Sequence, residues 1–243
     1  TYLGIPSHSV GAYRDSGIKL FQQLNLNSSS SITYAYMYGL GAGMQMDNVN
    51  DSQPTHYLYM AYENIFGAIK GYNTESLKLY GWYQNGKRKL LDELYERKRY
   101  GVGLTYYDGS LRVEGEYMRG EGLIFTGTQD TSAIPSNNVW QFEIEADKSN
   151  KADGYYISAT YKLQPQIEAI ARYDEYHRMK NISAKERSVK NTTLGFSYKF
   201  KGVNRIDFNY TFSKANAPYN SIAQDILNNT GDIARIQLTW VYK

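Results

Sequence analysis

Cysteine is absent from the 243 residues, which excludes a disulfide framework and the common thiolate metal sites. Charge of one sign is also scarce. The 27 Lys and Arg oppose 24 Asp and Glu, and the net +3 is too small to argue for a nucleic-acid partner. Mean hydropathy is −0.59, and no apolar run approaches the ~18–20 residues that a spanning helix needs. Neither fact excludes a membrane, because a barrel strand needs only ~9–11 residues, with every second one facing lipid. The three histidines, His8, His56 and His177, stand alone. None has a serine or carboxylate at a spacing that argues for a hydrolase triad, and together they form no metal constellation. No catalytic residue, metal ligand or cofactor is therefore expected. No secretory leader opens the sequence, so an exported protein would be represented here in mature or trimmed form.

What the chain has in excess is tyrosine, 25 of them, alongside 21 glycines. A tyrosine ring is apolar while its hydroxyl stays wet, which suits a membrane–water interface. The underlying pattern is clearest from Asn191 to Phe212. One register of this stretch holds Leu194, Phe196, Tyr198 and Phe200, then Ile206, Phe208, Tyr210 and Phe212. The other holds Gly195, Ser197, Lys199, Arg205, Asp207, Asn209 and Thr211. Successive strand side chains point to opposite sides, so this predicts a hairpin with one aromatic and one charged face, turned at Lys201-Gly202-Val203.

The alternation recurs along the chain. Gly17 to Asn27 sets Ile18, Leu20, Leu24 and Leu26 against Lys19, Phe21, Gln23 and Asn25. Ile32 to Ala42 sets Ile32, Tyr34, Tyr36, Tyr38 and Leu40 against Thr33, Ala35, Met37, Gly39 and Gly41. His56 to Tyr72 and Glu75 to Tyr83 read as strands whose facing is ambiguous, since both registers contain aromatics. Asn85 to Arg99 reads as a basic loop with a helical turn at Leu90 to Tyr95. Asp108-Gly109-Ser110, a strong hairpin signal, joins Tyr100–Tyr107 to Leu111–Met118. Arg119 to Asp153 is the longest irregular segment and contains one alternating stretch, Val139 to Asp147. Tyr155–Leu163 and Ile167–His177 meet at Gln164-Pro165-Gln166, and in the last strand Ala234, Ile236, Leu238, Trp240 and Tyr242 oppose Arg235, Gln237 and Thr239.

Eleven or twelve strands result. Short connections follow Asn27, Tyr72, Tyr107, Leu163 and Phe200, and long ones follow Met44, Asn85, Met118, His177 and Ser213. Such alternation is typical of outer-membrane barrels, with tight periplasmic turns and long external loops. It stays in phase only if Val139–Asp147 belongs to the long connection. The expected fold is an all-β, antiparallel transmembrane β-barrel of about 12 strands, closed because lipid cannot satisfy an open sheet edge. It would form one domain over residues 1–243, either with a strand within Thr1 to Ser16 or lacking N-terminal strands. A soluble barrel or sandwich would instead bury the tyrosine register, giving its core an unusual load of hydroxyls.

Leu111 to Gly122, LRVEGEYMRGEG, followed by ADGYYISATYKL and AIARYDEYHR, resembles the phosphate-selective porin O and P family of Gram-negative outer membranes. GAYRDSGIKLF and the tyrosine-rich strand after it are similar to the middle portion of that family. The resemblance runs from about Val10 to the end of the chain. It implies a sixteen-stranded diffusion channel, often a homotrimer, of which this chain holds fewer strands. It also implies membrane lipid, lipopolysaccharide and small polar or anionic, phosphate-like solutes as partners. The chain departs from the outer-membrane pattern by ending on Lys243 after Tyr242 rather than on an aromatic residue.

With the apolar register toward lipid, the other register would line the interior. Its cations are Lys19, Arg112, Arg172, Lys199, Arg205 and Arg235, and its carboxylates are Glu114, Glu116, Glu168, Asp174 and Asp207. The planar fork of arginine binds oxyanions bidentately, and rings of cations make a pore anion-selective. The same groups can instead pair and hold the wall, Arg205 with Asp207 and Arg172 with Glu168 or Asp174. Lys87, Arg88, Lys89, Arg97, Lys98 and Arg99 read as a solvated loop, as an anion funnel or as a contact for lipid-A phosphates. The expected function is passive diffusion through an outer-membrane porin without catalysis. The alternatives are a structural or surface-interaction barrel plugged by Arg119–Asp153, or a barrel hydrolase.

Overall fold

A computed structural model describes residues 15–41, 53–67, 74–90, 93–122, 124–127, 143–145, 150–201, 204–229 and 231–241. In chain order the strands are β1 (Gly17–Asn25), β2 (Ser30–Gly39), β3 (Thr55–Ile65), β4 (Ser76–Leu90), β5 (Glu93–Tyr107) and β6 (Leu111–Gly122). Then come the short β7 (Ile124–Gly127) and β8 (Glu143–Glu145), followed by β9 (Lys151–Gln164), β10 (Ile167–Arg178), β11 (Arg187–Lys201), β12 (Asn204–Asn216) and β13 (Ile233–Thr239). All but β7 and β8 form one eleven-stranded antiparallel sheet, in which β6 passes directly to β9. β7 and β8 pair with each other alone. The alternating stretch near residue 143 thus belongs to the long connection, as the phase of the turns requires. A seven-residue helix, α1 (Ser221–Leu227), lies between β12 and β13, where the sequence indicated only a loop. Among the described residues no helix is long and apolar enough to cross a membrane.

The register makes the two faces continuous across the sheet. Leu77, Tyr106, Val113, Ala159, Ala171, Leu194, Tyr210 and Ala234 are successive partners in one row. Arg112, Thr160, Ile170, Gly195, Asn209 and Arg235 form a row on the other side. The ambiguous strands resolve the same way: Leu58, Met60 and Tyr62 of β3 join the apolar face, opposite Tyr83, Gly81 and Leu79 of β4. Tyr57, Tyr59, Tyr80 and Trp82 join the charged one. Exposure separates the faces as well. Val102 and Met60 are 62% and 60% exposed, whereas Ala61, Ser197 and Asp207 on the charged side are buried. Side chains converge on the concave side of a curved sheet and shield one another, so the sheet curls toward its charged face.

Three expectations are corrected. The basic loop with a helical turn is a hairpin instead: β4 and β5 stay paired out to Leu90 and Glu93, with Lys87 opposite Glu96. The continuous backbone ladder between β4 and β5 outweighs the weak helical spacing of the leucines there. The connection after Asn85 is consequently short, and the one after β3 is long, because β3 ends at Ile65 rather than Tyr72. Finally, the sheet does not close among the described residues, where β1 and β13 are its edges. Eleven alternating strands leave the first and last running the same way, and an antiparallel closure needs an even number. Of Thr1–Ser16, one of the two expected explanations for the missing strand beside absent N-terminal strands, residues 1–14 lie outside the described set, as does the end of the Lys201-Gly202-Val203 turn.

Val102→Arg, on the apolar face, should destabilise the folded protein in lipid vesicles by about 2–4 kcal/mol, as arginine does at a bilayer midplane. Thr105→Arg, on the charged face opposite Glu114, should cost much less. Urea titration of both variants checks this, and equal costs would contradict the assignment of faces.

Candidate functional site

The eleven residues expected on the wet register all lie on one face. Lys19 is on β1, Arg112, Glu114 and Glu116 on β6, Glu168, Arg172 and Asp174 on β10. Lys199 is on β11, Arg205 and Asp207 on β12, and Arg235 on β13. Five of them, Arg112, Glu168, Lys199, Arg205 and Asp207, meet around a cavity of about 550 Å³. Lys162, Tyr107, Ser197, Asn209 and Gln237 complete much of its lining. Four cations therefore face two carboxylates there, a net +2. Lys162 sits in the polar register of β9 and was readable from the alternation, but nothing in the sequence marked it as a neighbour of Lys199.

Pairing inside the set follows the strands. Arg205 Nε lies 3.0 Å from Asp207 Oδ2, Arg172 Nε 3.0 Å from Asp174 Oδ1, and Arg112 Nη1 3.8 Å from Glu114 Oε1. Lys199 forms its ion pair with Glu168 across strands β10 and β11, so of the two partners considered for Arg172 only Asp174 is used. Arg112 also stands 4.7 Å over the Tyr107 ring and Arg172 4.4 Å over Tyr156. Glu116 accepts a hydrogen bond from Trp82 Nε1 at 2.6 Å. Lys19 lies 5.4 Å from the Phe21 ring, away from the cavity. Arg235 and Lys162 have no ion-pair partner among the described residues.

The fold is porin-like. Among solved structures the chain is similar to the anion-selective porin from Comamonas acidovorans, with a TM-score of 0.52 and 13% identity, over 81% of this chain and 48% of that one. The chain thus spans about half the length of that porin. No protein-family model matches it, and no curated protein does. The resemblance to the O and P porins is therefore borne out at the level of a porin-like fold.

Toward the far end of the sheet the charged face carries further arginines, among them Arg97, which the sequence read as part of a solvated loop or an anion funnel. Arg97 of β5 and Arg187 of β11 are buried, each 3% exposed. Arg99 Nη1 donates to the Glu121 carbonyl at 2.8 Å, and Arg187 Nη1 to that of Glu186 at 2.7 Å. Lys87 remains exposed and Lys98 pairs loosely with Glu96 at 3.9 Å, while the side chains of Arg88 and Lys89 lie outside the described set. The long connection after β6 begins against this same face, where Ile124 packs with Ala152 and Met179. His177 does have a carboxylate, Glu175, at 2.7 Å, and Ser188 is its cross-strand partner. These three lie in the apolar register, and Glu175 is also bound by Lys190 at 2.9 Å. Among the described residues the Ser188 hydroxyl makes no hydrogen bond to His177. His56 is bonded to the Tyr36 hydroxyl at 2.7 Å, and His8 lies outside the described residues.

The mouth of the cavity is the turn after β5. Gly109, at φ +92°, occupies the left-handed region that glycine tolerates. Asp108 accepts backbone hydrogen bonds from Leu111 at 2.8 Å and Ser110 at 3.0 Å, which hold its carboxyl below the usual range. A carboxylate with a depressed pKa adds stability above its unfolded value and loses it as pH falls through the folded one. Asp108→Asn should therefore unfold at a lower temperature than the parent at pH 7, with the gap closing below about pH 4. Melting curves against pH check this, and a gap independent of pH would contradict it.

Proposed function

We propose that the chain builds the wall of a water-filled, porin-like channel in the bacterial outer membrane, for passive diffusion of small hydrophilic and anionic solutes. The observation that carries this reading is the segregation of all eleven predicted residues onto the face toward which the sheet curls, with net positive charge around the cavity and an apolar opposite face. On this reading Lys19, Arg112, Arg172, Lys199, Arg205 and Arg235 line the pore with Glu114, Glu116, Glu168, Asp174 and Asp207, and residues 1–243 act as one barrel domain. The loose likeness to the phosphate-selective O and P porins supports phosphate-like anions as solutes and a homotrimer as the assembled state. Membrane lipid and lipopolysaccharide would surround the apolar face. No reaction is assigned, since a channel of this kind works by field and width alone.

Planar-bilayer recording tests the reading. Purified protein should give discrete conductance steps with a preference for chloride over potassium. Lys162→Glu combined with Arg235→Glu, which removes two cations without breaking an ion pair, should lower that preference severalfold. Absence of conductance steps, or a preference untouched by the double substitution, would overturn it.

A further inference from the structure

The face toward which the sheet curls is not charged throughout. Ala61, Tyr80, Gly103, Glu116, Tyr156 and Asp174 are successive partners in one row of it, and Tyr59, Trp82 and Gly101 are partners in the next. The two glycines set how the rings lie. A Cβ on Gly103 would fall 2.4 Å from the Tyr80 ring, and one on Gly101 would fall 2.8 Å from the Trp82 indole. Both rings therefore lie close against the backbone of β5. Tyr59 lies beside Tyr80 with ring centres 6.3 Å apart and planes 29° apart. None of these rings is fully buried.

Hydrogen-bonding groups border the strip. Glu116 Oε1 accepts a hydrogen bond from Trp82 Nε1 at 2.6 Å. Arg172 stands over Tyr156 while bound to Asp174. A bare inorganic anion gains nothing from the electron-rich face of an aromatic ring. A sugar ring matches both halves of the arrangement. Its C–H face carries the partial positive charge that a π face attracts, and its rim of hydroxyls needs charged donors and acceptors beside it.

We propose that Tyr59, Tyr80, Trp82 and Tyr156 form a stacking track for pyranose sugars on the inner wall, with Glu116 and Arg172 binding the hydroxyl rim. The proposal rests on the channel reading of this face and adds neutral carbohydrate to the solutes that pass. Saturation-transfer NMR on the folded protein in lipid nanodiscs, with maltotriose as ligand, should show transfer from aromatic protein protons to the sugar ring C–H protons. Tyr59→Leu and Tyr156→Leu keep bulk and remove the π face, and each should weaken maltotriose binding about 2- to 10-fold, the range of one aromatic contact. Met60→Leu, on the apolar face, should leave it unchanged. In bilayers, maltotriose should reduce the open-channel current of the parent and less so that of either tyrosine variant.

No transfer to maltotriose, an equal loss in Met60→Leu, or a response to benzoate alone would overturn the track. Channels that conduct but ignore maltotriose would remove the track and leave the channel reading intact. Sugar binding with no conductance would do the reverse.

Discussion

Hydrocarbon offers no partner to a backbone amide or carbonyl, so a chain that crosses a bilayer as strands must satisfy each strand with its neighbours. Everything else in the structure follows from that ladder. Because side chains alternate strictly, a one-residue slip between any two strands would exchange the two faces from that point on. Among the described residues of the eleven-stranded sheet the register shifts lie beside turns, between Ile167 and Glu168 and between Lys199 and Lys201. The stretches from Glu168 to His177 and from Ser188 to Lys199 run without interruption, and so the apolar rows never cross into the charged ones.

The ion pairs have a different role. Arg112 with Glu114, Arg172 with Asp174 and Arg205 with Asp207 join residues two apart on one strand, where they fasten nothing to a neighbour. Only Lys199 with Glu168 bridges strands within the cavity. The cations in these pairs are 36–45% exposed, and exposed pairs contribute about 0–1 kcal/mol each. The sheet is thus held by its backbone, while the charges shape the field over the cavity. Same-strand pairing also fixes the arginine heads in place, which keeps their remaining donors directed at whatever occupies the space in front of them.

Much of this was legible in the residues themselves. The period-two alternation in Asn191–Phe212 and Tyr155–His177 gave strand identity, facing and even the turn positions, because a half-wetted sheet leaves a clean binary code. It failed where the code is doubled. β3 and β4 carry aromatics on both faces, and only the pairing of Leu58 with Tyr83 and of Tyr59 with Trp82 separates them. The stretch around Leu90 misled because its spacing satisfies a helix locally, while the pairing of β4 with β5 out to Leu90 and Glu93 depends on the partner strand. For the site, membership of the wet register was readable residue by residue. Which members meet was not: Arg112 and Arg205 are ninety-three positions apart and share a cavity only through the order of the strands. The glycines at 101 and 103 gave no sign of the aromatic rings that lie over them.

The central claim is that one face of the sheet meets hydrocarbon and the other water. A chain without cysteine allows it to be tested directly by single-cysteine spin labelling along β12, from Ile206→Cys to Thr211→Cys, in lipid vesicles. Labels at 206, 208 and 210 should be relaxed by lipid-soluble oxygen, and labels at 207, 209 and 211 by a water-soluble nickel chelate, alternating residue by residue. Uniform accessibility along the strand, or the opposite phase, would contradict the account.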